Sequence, residues 1–113
     1  RPQVASVGLS EQRARKQGIS VRVGRFDLQA SGKAIAINEP KGLVKTIFEA
    51  DSGKLIGAHM IGPEVTEQIQ GLVIAMGAKM SDEQLAETIF PHPTVSESIH
   101  ESVLDSINKA IHK

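Results

Sequence analysis

No cysteine, tryptophan or tyrosine occurs in these 113 residues, and phenylalanine appears only three times. The missing cysteine excludes a disulfide framework, thiolate metal sites and a self-contained dithiol active site. With so few aromatics, the core must rest on Ile, Val, Leu, Ala and Met. Neither sign of charge prevails. Thirteen basic and 13 acidic residues cancel, leaving no electrostatic footprint for nucleic acid or an anionic membrane, and neither partner is expected. No apolar run is long enough to span a bilayer and no signal peptide is visible, so a cytoplasmic location is expected. No Gly-x-Gly-x-x-Gly occurs, so the chain has no dinucleotide fingerprint of its own.

What is present suits one domain spanning 1–113, with one core. Val4 to Val7 reads as a strand ended by Gly8. Ser10 is a good N-cap for a helix through about Gln17, with Gly18 as its C′ residue. Ile19 to Leu28 alternates apolar and polar residues, and the change of phase near Gly24 predicts a bulge or bend. Ala30 to Asn38 reads as a turn or short helix. Residues 42–50 and 54–61 form the clearest hairpin, closed by Asp51-Ser52-Gly53. In it, Val44, Thr46 and Phe48 share one face, and Leu43, Lys45 and Ile47 the other.

Three helices follow. Pro63 suits the first helical position, and Val65, Ile69, Leu72, Val73 and Met76 then recur at helical spacing. Ile74 and Ala75 widen that stripe beyond what a monomer's surface helix needs, so self-association is expected there. Gly71 sits inside this helix at a cost of about 1 kcal/mol, and close approach of another helix would explain it. Ser81-Asp82-Glu83-Gln84 is a capping box opening a short helix. The last helix carries Ile99, Val103, Ile107 and Ile111 every four residues. The expected fold is α+β, an antiparallel sheet with helices packed on one side.

One stretch carries a chemical signal: Pro91-His92-Pro93-Thr94-Val95-Ser96-Glu97. Prolines on both sides restrict the backbone of His92, whose imidazole exchanges a proton near neutral pH. Glu97 could orient that imidazole and stabilise its charged form. Thr94 to Glu97 also fits a capping box, and one carboxylate can serve both ends. A metal site of His92, Glu97, His100 and Glu101 lacks standard ligand spacing, and no metal is expected. His59, beside small strand residues, reads as packed and hydrogen-bonded. His100 reads as a solvated or interface residue, and His112 as inert.

The His92-Pro93-Thr94 run with Glu97 resembles the C-terminal signature of the FAD-dependent pyridine nucleotide–disulfide oxidoreductases. Lipoamide dehydrogenase and glutathione reductase are the best-known members. Ala5-Ser6-Val7-Gly8-Leu9-Ser10-Glu11 is similar to the entry of that family's dimerisation domain. Gly42 and Lys45, then Ile56-Gly57-Ala58-His59, are similar to its central hairpin. The resemblance runs from Pro2 to about Lys109 in family order.

The resemblance implies the C-terminal dimerisation domain of a dihydrolipoamide dehydrogenase-like flavoenzyme, which oxidises a dithiol with NAD. It implies FAD and NAD(P) domains ahead of this one, holding the redox cysteine pair. The opening Arg1-Pro2, in place of methionine, fits such a piece of a longer chain. It implies a homodimer in which His92 is the acid/base for the partner subunit's thiol substrate, with Glu97 hydrogen-bonded to it. His92 and Pro93 then lie near the partner's flavin. The chain alone is expected to bind no FAD and to be inactive. Phe90 stands where many lipoamide dehydrogenases carry a second histidine, which leaves lipoamide, glutathione, transhydrogenase and mercuric reductase-like chemistry open. A free-standing, non-catalytic interaction module is the alternative of another class.

Overall fold

The structure, a computed structural model, describes residues 3–27, 42–62, 65–87 and 96–107, of which 66–68 and 96–98 by backbone alone. The expected features at Leu28, 30–38, Pro63, 88–95 and 108–112 lie outside the described residues. The elements run β1 (Gln3–Gly8), α1 (Glu11–Lys16), β2 (Val21–Asp27), β3 (Leu43–Glu49), β4 (Leu55–Gly62), α2 (Val65–Gly77), α3 (Asp82–Ala86) and α4 (Ser96–Ser106). This is the expected α+β layout, with one antiparallel sheet in the order β1-β4-β3-β2.

Local chemistry explains most boundaries. The Ser10 hydroxyl accepts from the Arg13 amide at 3.1 Å and starts α1. The Ser81 box is complete: its hydroxyl accepts from the Gln84 amide, and the Gln84 side chain accepts from the Ser81 amide. The β3–β4 turn works because Gly53 holds φ +74°, which costs a residue without a Cβ nothing. Its amide donates back to the Glu49 carbonyl at 2.7 Å.

The sheet has two unequal faces. Residues paired across the strands put Ala5, Val44, Thr46, Phe48, Ala58 and Met60 on one face, and all are buried. The helices α2, α3 and α4 close over it with Val65, Leu72, Ala75, Leu85, Ile99 and Val103. The short α1 lies across the opposite face, where its Glu11 reaches Lys45 and Arg25. That is why Ile47 is buried although it points away from the large helices. Beyond the reach of α1, Val4, Ile61 and Leu43 sit side by side on three strands and stay exposed.

One expectation changes here. β2 pairs with β3 without interruption from Val21 to Asp27, so Gly24 is not a bulge. Both phases of β2 are apolar because both faces are covered. Gly24 is instead the point where α4 crosses the sheet: a Cβ there would stand 1.8 Å from the Ser102 carbonyl oxygen. The register shift of the sheet falls at Ile47/Phe48. Gly71 lies on the outer side of α2, and among the described residues nothing stands within 4 Å of a would-be Cβ, so none of the described helices of this chain makes the close approach expected there.

Candidate functional site

Glu97 is the second residue of α4. Its side chain, and the whole of His92 and Pro93, lie outside the described residues. What the structure defines is the platform on which Glu97 stands. Ile99 and Val103 bury one face of α4 against the core. Ser102, fully buried, donates from its hydroxyl to the Gly24 carbonyl at 2.9 Å. Its oxygen also lies 2.9 Å from the hydroxyl of Thr46, equally buried at the centre of β3. A serine hydroxyl has one proton, so with that proton on Gly24 the Thr46 hydroxyl is the donor of this pair. His100, half-buried rather than solvated, donates from Nε2 to the Ala86 carbonyl at 2.7 Å and ties α4 to α3. The apolar periodicity of α4 is legible in the sequence, and the role of Ser102 is not. The available signal was its place between Ile99 and Val103, on the buried side.

Among the described residues, the β1–α1 junction and the central hairpin, two of the segments that carry the family resemblance, meet at one place. The β1–α1 junction folds over β3 and β4, where the Leu9 amide donates to the Ile56 carbonyl at 2.9 Å. His59 donates from Nε2 to the Leu9 carbonyl at 3.0 Å, the packed and hydrogen-bonded role expected of it. The Glu11 carboxylate accepts from Lys45 at 3.0 Å, from Arg15 at 3.0 Å and from Arg25 at 3.3 Å. The Lys45 ammonium, then the Arg15 guanidinium, hold the Glu11 carboxyl below its ordinary pKa of 4.5. These residues fasten α1 to the sheet.

This cluster makes a signed prediction. A carboxyl with a depressed folded pKa contributes stability that is present above its unfolded value and lost as pH falls through the folded one. Urea denaturation should therefore show stability unchanged on this account down to the ordinary value of 4.5 and falling below it. Glu11→Gln should flatten that decline. An unchanged slope in the variant would show that Glu11 is not linked to folding.

Another ion pair lies away from this cluster. Arg22 of β2 donates to the carboxylate of Asp82, which is buried at the start of α3, and to the Ala50 carbonyl. Nothing in the local sequence joins residues this far apart. Among the described residues there is no group of three or more His, Cys, Asp or Glu side chains able to hold a metal. No described helix is long and apolar enough to cross a membrane.

Comparison with known proteins adds what this geometry cannot. Residues 1–103 match the family described as "Pyridine nucleotide-disulphide oxidoreductase, dimerisation domain". The chain is 56% identical over 112 residues to a dihydrolipoyl dehydrogenase of Zymomonas mobilis, covering 99% of this chain and 24% of that protein. It is 41% identical over 111 residues to a dihydrolipoyl dehydrogenase of Bacillus subtilis, covering 98% of this chain and 23% of that one. The fold superposes on the HOCl-induced flavoprotein disulfide reductase RclA of Escherichia coli with a TM-score of 0.84 and 26% identity, over 90% of this chain and 25% of that one. LpdA of Mycobacterium tuberculosis gives the same TM-score, 0.84, at 24% identity over 90% of this chain and 22% of that one. A four-stranded antiparallel sheet backed by helices is thus shared with flavoprotein oxidoreductases. The chain belongs to the pyridine nucleotide–disulphide oxidoreductase dimerisation-domain family. It spans about a quarter of the length of the curated relatives it matches.

Proposed function

We propose that this chain is the dimerisation domain of a dihydrolipoyl dehydrogenase-like flavoenzyme, and that it supplies His92 and Glu97 as an acid/base pair to the partner subunit's active site. The observation that supports this most is the 56% identity over nearly the whole chain to an enzyme of that name. FAD and NAD(P), held by the rest of the polypeptide, would carry the electrons. His92 would take the proton from the dithiol substrate, leaving the thiolate that is the reactive form. Glu97 would accept from one ring nitrogen, fix the tautomer and leave the other nitrogen for the thiol. The test is turnover of the full-length, FAD-loaded protein. Oxidation of dihydrolipoamide with NAD+ is expected. Turnover of glutathione disulfide without any of lipoamide would overturn the substrate assignment.

We infer also that the domain makes a twofold contact through the outer side of α2. Most of the stripe expected to serve this, Val65, Ile69, Leu72 and Met76, is packed into the domain's own core. What remains outward is Val73 and Ile74, the latter 63% exposed, beside the open Gly71. A glycine there lets a second helix approach closely, and twofold pairing is the commonest way to bury such a face. Ile74→Glu is expected to raise the dimer dissociation constant at least about tenfold, because it places an unpaired charge in the contact. Ile61→Glu, on the other face of the sheet, serves as the control. Sedimentation equilibrium that finds the dimer intact in the first variant and lost in the second would move the interface to the sheet.

A further inference from the structure

We propose that Ser102 and Thr46 are positioning residues for the acid/base pair, acting by fixing where α4 stands along the sheet. The inference rests on the role proposed above for His92 and Glu97, and adds the residues that hold the pair in register. Two features separate this contact from ordinary core packing. Apolar contacts such as those of Ile99 and Val103 are non-directional and tolerate sliding. The Thr46–Ser102–Gly24 chain is directional: two hydrogen bonds of 2.9 Å, with both side chains at zero exposure, hold only in one register. Gly24 adds depth control, since the helix backbone sits where any side chain on that strand would be.

Glu97 and Ser102 are joined by unbroken helix, ~7.5 Å apart along its axis at 1.5 Å per residue. Such a helix transmits a shift at Ser102 to Glu97 nearly undiminished. A polar group could have been avoided at this place, because Ala or Val would fill it without any hydrogen-bond requirement. A displacement of about 1 Å in a catalytic group can cost 10²-fold in rate, so a partial loosening should be visible in turnover.

The test uses the full-length, FAD-loaded enzyme, with rates expressed per bound flavin. Ser102→Ala leaves both the Thr46 hydroxyl and the Gly24 carbonyl without this partner. It should lower kcat roughly tenfold, with KM for the dithiol within about twofold. Thr46→Val removes one bond of the chain and should lower kcat less. Thr46→Ser keeps the hydroxyl and should restore turnover. The double variant Ser102→Ala/Thr46→Val should be no slower than Ser102→Ala alone, because the residues act as one unit. If Ser102→Ala fails to load flavin, the contrast of Thr46→Val with Thr46→Ser carries the same test. Wild-type kcat per flavin in Ser102→Ala and Thr46→Val, with only a lowered melting temperature, would overturn the proposal and leave the hydroxyls a purely structural role. His92→Gln assayed alongside separates the two ideas. If it loses turnover while Ser102→Ala keeps it, positioning alone fails. If His92→Gln itself keeps turnover, the acid/base reading fails and the positioning role falls with it.

Discussion

His92→Gln in the full-length enzyme is expected to lower turnover of the dithiol by about 10²–10⁴-fold, the usual range for a lost general acid or base. Glutamine keeps hydrogen bonding but cannot take a proton at neutral pH. Glu97→Gln should cost less, because it weakens orientation and charge while the proton acceptor stays. Flavin content should survive both changes. A capping role alone makes the opposite forecast: Glu97→Gln keeps a capping-box residue and is nearly silent, and His92→Gln alters stability more than rate. Steady-state turnover per flavin beside thermal unfolding decides between them.

Gly24→Ala is expected to destabilise the fold by about 3 kcal/mol, the top of the usual range for overpacking. The new Cβ would fall 1.8 Å from the Ser102 carbonyl oxygen and 2.9 Å from the Ser106 amide nitrogen, both backbone atoms of α4. A flexible side chain could swing aside; helix backbone cannot. Relief requires α4 to lift from the sheet, uncovering Phe48 and Val103, which are fully buried. Gly71→Ala is the counterpart. Among the described residues it meets nothing within 4 Å, and in the monomer it should stabilise α2 by up to about 1 kcal/mol. Urea denaturation of both variants checks the pair. A mild effect at Gly24 would show that α4 is not seated as described.

These two glycines also show what was legible in the sequence. Each looked like an interruption in a regular pattern, and each was read by its local meaning. Gly24 reads as a bend because Val23 and Phe26 fall on opposite phases, whereas both phases are covered, one by α1 and the other by α4. Gly71 reads as a point of close approach for another helix, and no described helix of this chain makes that approach. Features governed by neighbours in sequence were readable: the Ser10 and Ser81 caps, the Asp51-Ser52-Gly53 turn, and the division of β3 into a Val44-Thr46-Phe48 face and a Leu43-Lys45-Ile47 face. Long-range pairings were not. The partnership of β1 with β4, the Arg22–Asp82 ion pair and the Thr46–Ser102 hydrogen bond join residues 49 to 60 positions apart. No spacing rule reaches that far. The candidate site was legible only through its motif. Two prolines around a histidine mark a restrained titratable group, and resemblance to a family supplied its role.

The central claim, that this domain lends its histidine across the twofold axis, is tested most directly by mixing two dead subunits. One full-length subunit carries His92→Gln and keeps its redox cysteines. The other keeps His92 and has those cysteines replaced by serine. If the pair acts in the partner's active site, the heterodimer holds one site with both defects and one with neither, and co-refolding restores about half the wild-type turnover per heterodimer. If His92 serves its own subunit, every site in the mixture is defective, and turnover no higher than that of the separate homodimers would contradict the account.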